Sequence, residues 1–272
     1  MSAEKFFEQI ERMRCPVCGT AFSRAGNSLC CGGGHTFDPS RKGYVHFLPN
    51  AKPSRYDARL FEARRRILEG GFYDGVTDAI RKAMPDTADV VLDAGCGDGT
   101  FTKLLGRGKT VFGLDLSKDA ILLAAHGGGP ILWMVGDLTR LPLADHSVDV
   151  ILNLFSPAHY GEFKRVLKND GYLLKLVPQT GYLREIRALM GDRLRHGTYS
   201  NDSVVSHMAE HFRIVDRVRV TETHVLSAEQ SFDFLAMTPL TFGIDDDSLD
   251  ARQLSCVTID VELLIAKGSA AR

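Results

Sequence analysis

One stretch constrains this chain more than any other: an apolar run ends in an acidic residue and is followed by three glycines at alternate positions. It reads Val90-Val-Leu-Asp-Ala-Gly-Cys-Gly-Asp-Gly-Thr-Phe101. Such a run predicts a buried parallel strand that breaks into a tight turn, and residues 101–105 predict the start of a helix. Glycines leave space for a ligand beside the backbone, because they have no Cβ. The stretch therefore predicts a ligand-binding turn with free N–H groups at the helix start.

Two further apolar runs end in acidic residues. Residues 111–116 contain Asp115, which lies about 20 residues beyond the glycines, where a carboxylate can accept two ribose hydroxyls. Residues 131–137 end in Asp137. Each carboxylate alone would be a common helix cap, but three acidic strand ends in succession favour a binding site over a glycine-rich turn without a ligand. The glycine spacing differs from both the dinucleotide fingerprint and the P-loop.

The glycine stretch resembles the first motif of the class I S-adenosylmethionine methyltransferases. The resemblance implies a cofactor site that includes Asp93, Gly95, Gly97 and Asp98, with Asp137 bound to the adenine amino group. It also implies S-adenosyl-L-methionine as the cofactor.

The charges of the chain are unevenly distributed. The formal net charge is −1, yet residues 1–66 hold 12 Lys/Arg against 6 Asp/Glu. A basic head on an acidic body points to an anionic partner at the head. Hydrophobic residues make up 44% and charged residues 25%, as in an ordinary soluble globular protein. No apolar run reaches about 18 residues and residues 1–14 are charged, so we expect no membrane span, no signal peptide and a cytoplasmic location.

Two short-spaced pairs of potential metal ligands lie in the head. Cys15-Pro-Val-Cys18 and Cys31-Gly-Gly-Gly-His35 are separated by 12 intervening residues. Tetrahedral zinc takes four such ligands, so the spacing predicts one structural zinc ion held by Cys15, Cys18, Cys31 and His35. Cys30 remains an alternative to Cys31. A redox pair is disfavoured because no thioredoxin-like βαβ pattern surrounds it.

A linker and an arginine-rich helix follow the two pairs of metal ligands. Residues 51–56 predict the linker, and residues 57–68 predict a helix capped by Asp57. Apolar residues share one face of this helix, which leaves Arg59, Arg65 and Arg66 largely outward. This basic face fits RNA phosphates, and a solvated helix surface is the alternative.

Motifs along nearly the whole chain resemble the bacterial 23S ribosomal RNA guanine-N1 methyltransferases, most closely the Gram-positive branch that includes macrolide-resistance methylases. They read Cys-Pro-x-Cys, Cys-x-x-x-His-x-Phe-Asp, Lys-Gly-Tyr-Val, Ala-Arg-Arg-x-x-Leu-x-x-Gly-x-Tyr and Asp-x-Gly-Cys-Gly, followed by Ser156–Leu167, Glu185–Arg187, Tyr199–Asn201 and Met237–Pro239. The resemblance implies methyl transfer to N1 of a guanine in a 23S rRNA hairpin, gripped by a homodimer. It also implies Tyr73 and Tyr182 beside the cofactor. The generic core alone would also suit a small-molecule substrate.

The remaining pattern alternates strands and helices. Residues 148–155 and 172–177 predict two further strands, and residues 257–265 predict a closing one. Residues 178–250 predict inserted helices and one strand near 212–220, lining the substrate entrance. We therefore expect an α/β fold: a class I (Rossmann-like) methyltransferase domain with a mostly parallel seven-stranded sheet, and a small β-rich zinc domain. The expected boundaries are 1–50 for the zinc-binding RNA-recognition domain, 51–85 for the linker and helical segment, and 86–272 for the methyltransferase domain.

Three residues in or shortly after the fourth strand are candidates for contact with the target base. Asn153 would hydrogen-bond the guanine edge, Phe155 would stack on the base, and His159 would accept the N1 proton. Each residue also has an ordinary structural interpretation: Asn153 as a cap or turn residue, Phe155 as a core aromatic residue and His159 as a loop histidine. The sequence assigns no catalytic residue.

Overall fold

The computed structural model of the chain describes residues 3–48, 58–191, 200–241 and 250–268. The predicted linker at 51–56, the Asp57 cap and Tyr199 lie outside these ranges. None of the helices in the described ranges is both long and apolar enough to cross a membrane.

The head is a small three-stranded antiparallel sheet preceded by a short helix. The helix α1 spans Glu4–Glu8, and the strands are β1 (Phe22–Ala25), β2 (Ser28–Cys31) and β3 (Thr36–Phe37). Three phenylalanine rings, Phe22, Phe37 and Phe47, pack together with centroids 5.0–6.1 Å apart. Such a small core is typical of a domain that a metal stabilises.

The body is built on one eight-stranded sheet. Its strands are β4 (Tyr44–His46), β5 (Val90–Ala94), β6 (Thr110–Asp115), β7 (Leu132–Val135), β8 (Val148–Leu154), β9 (Leu167–Pro178), β10 (Phe212–Val225) and β11 (Cys256–Gly268). The order is β10-β11-β9-β8-β5-β6-β7-β4. All neighbours from β9 to β4 are parallel, whereas β11 and β10 pair antiparallel at the other edge. The predicted α/β class and mostly parallel sheet are confirmed.

The eighth strand comes from the head. The predicted zinc-binding domain, residues 1–50, includes this strand, but Tyr44–His46 pair in parallel with Trp133–Val135 of β7. Two polar contacts reinforce this junction: Arg14 forms an ion pair of 2.6 Å with Asp145, and Lys5 donates to the Ile131 carbonyl at 2.6 Å. The head is thus attached to the body through the sheet itself, and the domain boundary at residue 50 stays a prediction.

Helices cover the sheet. They are α2 (Ala58–Glu69), α3 (Asp74–Ala83), α4 (Thr100–Leu105), α5 (Lys118–Ala125), α6 (Tyr160–Val166), α7 (Arg184–Met190), α8 (Asp202–His211) and α9 (Ala228–Met237). The helix starts predicted near residues 58 and 101 are confirmed. On α2 the predicted inward residues are buried, and the outward Arg66 forms a bidentate ion pair with Asp233 of α9. That pair joins α2 to α9, two helices that border the same cavity.

Candidate functional site

A cavity of about 530 Å³ opens at the carboxyl ends of β5, β6 and β8. The strand order reverses between β5 and β8, and such a switch point is where open α/β sheets bind ligands. Six of the eight predicted cofactor residues line the cavity: Tyr73, Gly95, Gly97, Asp115, Asp137 and Tyr182.

Asp115, the last residue of β6, is held by the turn that follows β5. Its carboxylate accepts hydrogen bonds from the backbone N–H of Gly97 at 2.9 Å and of Ser117 at 2.8 Å. Burial raises the pKa of this carboxyl, while these two N–H donors oppose the rise. Because each oxygen has spare acceptor capacity, Asp115 can receive two further donors from a ligand. Asp137 also lines the cavity and accepts from the Thr139 N–H at 2.8 Å.

The three glycines of the turn differ in what a side chain at each position would meet. A Cβ at Gly95 would overlap the Ser156 hydroxyl, and a Cβ at Gly99 would overlap the Trp133 ring. Gly97 has a φ of +55°, and a Cβ there would meet only the Phe61 ring, at 3.7 Å. The prediction that the missing Cβ leaves space for a ligand is therefore wrong for both Gly95 and Gly99, although Gly95 lines the cavity. Gly97 is the position where an absent side chain leaves the backbone open to the cavity.

Asp93 and Asp98 do not lie on the cavity wall. Asp93 is buried and accepts a hydrogen bond of 2.6 Å from the Thr102 hydroxyl; burial raises the pKa of its carboxyl to about 7. Asp98 is buried and accepts from the Thr100 hydroxyl at 2.7 Å. Both carboxylates hold the start of α4, so their direct contact with a cofactor stays a prediction.

Two tyrosines close one side of the cavity. The Tyr73 and Tyr182 hydroxyl oxygens lie 2.6 Å apart, and burial raises the pKa of both. Phe155 stacks on Tyr182 with ring centroids 5.5 Å apart. Phe155 is in the left-handed region, with a φ of +54°, which is unusual for a bulky residue and occurs where surroundings enforce strain.

Asn153 has a structural role. It is completely buried, donates to the carbonyls of Ala94 and Pro157 at 2.9 Å, and accepts from the Lys175 ammonium at 2.6 Å. Lys175 also donates to the Ser156 carbonyl at 3.0 Å. Direct contact between Asn153 and a target base is thus contradicted. The two buried side chains instead fix residues 155–157 against the glycine turn.

His159 lines the cavity and caps α6. Its Nδ1 accepts the Glu162 N–H at 3.1 Å. A neutral imidazole whose Nδ1 is an acceptor carries its proton on Nε2, which makes Nε2 a donor. The predicted role of His159 as proton acceptor therefore does not fit this arrangement.

Several residues of the cavity wall had no role predicted from the sequence. Arg64 of α2 faces the cavity, and so do Met237, Thr238 and Pro239 after α9. The position of Arg64 could have been predicted from the sequence, since it lies three and four residues after the inward Phe61 and Leu60. The contribution of α9 to the cavity could not have been predicted, because it depends on long-range packing.

The four predicted metal ligands come together in the head. The sulfur atoms of Cys15, Cys18 and Cys31 and Nδ1 of His35 all lie within 4.8 Å of one another. Contacts among them measure 3.4 Å, 3.5 Å and 3.7 Å. Zinc bonds of about 2.3 Å to sulfur and about 2.0 Å to nitrogen would give tetrahedron edges near these lengths. The donor set and its spacing therefore fit zinc.

Strand alternation decides between the two adjacent cysteines. Successive side chains of β2 point to opposite faces, and Cys31 is the one within 3.5 Å of Cys18. Cys30 points away, with its sulfur 3.5 Å from the Thr36 hydroxyl. The alternative that Cys30 completes the cluster is contradicted. Gly33 passes so close to Cys18 that a Cβ would lie 2.9 Å from its sulfur.

Two protein families match separate stretches of the chain. Residues 13–55 match the family described as RlmA, N-terminal, a zinc ribbon, and residues 92–174 match the family described as methyltransferase domain. The chain is thus an S-adenosylmethionine-dependent methyltransferase that carries a structural zinc ion.

Similar solved structures agree with this fold. One comes from a complex between the Haloferax volcanii Trm112 methyltransferase activator and the putative methyltransferase; it is 17% identical with a TM-score of 0.52, covering 80% of this chain and 100% of that one. The YcgJ protein of Bacillus subtilis is 18% identical with a TM-score of 0.51, covering 73% and 100%.

Curated relatives match almost end to end. The putative 23S rRNA (guanine-N(1)-)-methyltransferase YxjB of Bacillus subtilis is 38% identical, covering 93% of this chain and 95% of its own. The 23S rRNA (guanine(748)-N(1))-methyltransferase of Streptomyces fradiae is 30% identical, covering 89% and 90%. With both the zinc ribbon and the methyltransferase core present, the chain belongs to the 23S rRNA (guanine-N1-)-methyltransferase family.

Proposed function

We propose that this protein transfers a methyl group from S-adenosylmethionine to N1 of a guanine in a 23S rRNA hairpin. The observation that carries the proposal is the cavity at the switch point of the sheet, bordered by Asp115 and Asp137, in a chain that also carries the zinc-ligand cluster. Near-complete matches to 23S rRNA guanine-N1 methyltransferases support the choice of substrate.

The cavity residues fit the donors of an adenosine. Asp115 would accept the two ribose hydroxyls, and Asp137 would accept the adenine amino group. Gly97 would let the cofactor approach the backbone, Gly95 lines the same wall, and Tyr73 and Tyr182 would pack against the cofactor. When bound, S-adenosylmethionine supplies an electrophilic methyl group. The protein mainly has to align the acceptor nitrogen with that methyl group and exclude water.

Two residues beyond the strand β8 would act on the guanine. Phe155 borders both this cavity and a neighbouring one of about 480 Å³, a position from which it can stack on a base taken out of the RNA stem. His159 would donate its Nε2–H to the guanine O6. A donor at O6 stabilises the negative charge that moves there as N1 loses its proton.

The RNA would also contact the head and α2. Residues 1–66 carry the excess of positive charge, and neutralising RNA phosphates releases counterions. This basic head favours an RNA over the small-molecule alternative. A homodimer that grips the hairpin, and a cytoplasmic location, complete the proposal as expectations that follow from a ribosomal RNA substrate.

Nucleoside mass spectrometry of 23S rRNA tests the proposal. RNA from cells lacking the gene should have less N1-methylguanosine than wild-type RNA, and complementation with the wild-type gene should restore it. The Asp115→Ala variant should not restore it, while Arg252→Ala, on the exposed surface away from the cavity, should. Unchanged N1-methylguanosine in the deletion strain would reject the proposed substrate.

A further inference from the structure

Arg64 is the cationic residue of the cavity to which the proposed function gives no role. Its side chain is half-buried and borders the cavity together with Gly97, Asp115 and Tyr182. In the described part of the chain it is the only lysine or arginine on the cavity wall. The other formally charged groups there are the carboxylates of Asp115 and Asp137.

The helix that carries Arg64 is firmly placed. Leu60, Phe61 and Leu68 on the same face of α2 are each 4% exposed. The bidentate pair of Arg66 with Asp233, with distances of 2.8 Å and 2.6 Å, joins α2 to α9. Within the ranges that the structure describes, Arg64 has no ion pair or hydrogen bond with a side chain. A half-buried guanidinium on a fixed helix, with no carboxylate of the described residues paired to it, is suited to an anion from a ligand.

The charge of Arg64 acts on the part of the cavity next to the glycine turn. Burial raises the pKa of Asp115, and the positive charge of Arg64 opposes that rise. Burial also raises the pKa of Tyr73 and Tyr182, and Arg64 again opposes it. These three groups come from β6, the start of α3 and the segment before α7, so Arg64 lies near the point where they converge.

S-adenosylmethionine has one anionic group, the α-carboxylate of its methionine part. The proposed function assigns the adenosine part to Asp115 and Asp137, neither of which can bind a carboxylate. A guanidinium offers paired N–H donors that match a carboxylate. We propose that Arg64 binds the α-carboxylate of the cofactor and so selects ligands that keep the amino-acid end. This inference rests on the proposed function.

Isothermal titration of the full-length protein with two ligands tests the inference. S-adenosylmethionine and its decarboxylated form differ only by the carboxylate. The wild type should bind S-adenosylmethionine more tightly than the decarboxylated form. Arg64→Met should weaken S-adenosylmethionine binding about 10- to 100-fold, the loss expected for hydrogen bonds to a charged group, and should change binding of the decarboxylated form less than about twofold. Arg65→Met, its neighbour outside the cavity wall, should leave both affinities unchanged.

The possible outcomes separate the inference from the proposed function. An Arg64→Met protein that still prefers the carboxylated ligand as the wild type does overturns the inference and leaves the methyltransferase proposal intact. A wild type that binds neither ligand rejects the proposed function itself. If Arg64→Met loses both ligands, Arg64→Lys decides: a remaining preference for S-adenosylmethionine supports the carboxylate contact, and an equal loss of both ligands overturns it.

Discussion

Replacing each of the adjacent cysteines Cys30 and Cys31 by serine is expected to give opposite results. Only the Cys31 sulfur lies among the other ligand atoms, 3.5 Å from Cys18 and 3.4 Å from Nδ1 of His35. The Cys30 sulfur contacts the Thr36 hydroxyl at 3.5 Å on the opposite face of β2. The two variants therefore make the same sulfur-to-oxygen change at neighbouring positions, of which only residue 31 is a zinc ligand.

The expected magnitude follows from the ligand count. Structural zinc contributes about 10–16 kcal/mol in zinc-finger peptides, so one of four ligands accounts for about 2.5–4 kcal/mol. Cys31→Ser should then weaken zinc binding about 60- to 900-fold. Cys30→Ser loses one weak sulfur contact and should change the free energy of unfolding by no more than about 0.5 kcal/mol.

Competition with a chromophoric zinc chelator measures both affinities, and thermal unfolding of the head provides a second readout. Cys31→Ser should release zinc at chelator concentrations where the wild type and Cys30→Ser retain it. The assignment is refuted if Cys30→Ser releases zinc and Cys31→Ser retains it, or if both variants behave like the wild type.

Three further results are expected. Asp115→Asn should weaken binding of S-adenosylhomocysteine about tenfold or more by calorimetry, because the amide offers one acceptor oxygen where the carboxylate offers two; an unchanged affinity would contradict the ribose contact. Burial lowers the pKa of Lys175 from 10.5 to about 8, so the unfolded chain binds this proton more tightly than the folded chain. Relative to Lys175→Met, the wild type should therefore gain up to about 3 kcal/mol of unfolding free energy between about pH 8 and 10.5, measured by urea unfolding. The same pH dependence of the unfolding free energy in both proteins would contradict the burial. Affinity for unmodified 23S rRNA, measured by filter binding, should fall about 1000-fold or more between roughly 50 and 200 mM salt, and a salt-independent affinity would exclude the basic head from RNA binding.

The local patterns of the sequence predicted much of this protein. Parallel strands buried on both faces are continuous apolar runs, so β5, β6 and β7 could be recognised together with the acidic residues at their ends. The zinc ligands were predictable because their spacing is local. In each case the signal lies within a few residues along the chain.

Features that depend on distant parts of the chain were not predictable. The strand β4 has three residues, too few for a periodic pattern, and it forms only because β7 offers an edge. Gly99 was assigned to ligand binding, whereas the Trp133 ring occupies the space beside it. The buried contact between Asn153 and Lys175 joins neighbouring parallel strands, and its geometry exists only in the assembled sheet.

In vitro methylation tests the central claim most directly. Purified protein with bound zinc would be incubated with labelled S-adenosylmethionine and 23S rRNA from cells lacking the gene, and the product mapped by primer extension. We expect label in the RNA and one new strong stop at a guanine, because a methyl group on N1 blocks Watson–Crick pairing. Absence of label and of any stop, with protein that binds the cofactor and with naked, assembled and precursor RNA all tried, would contradict the account.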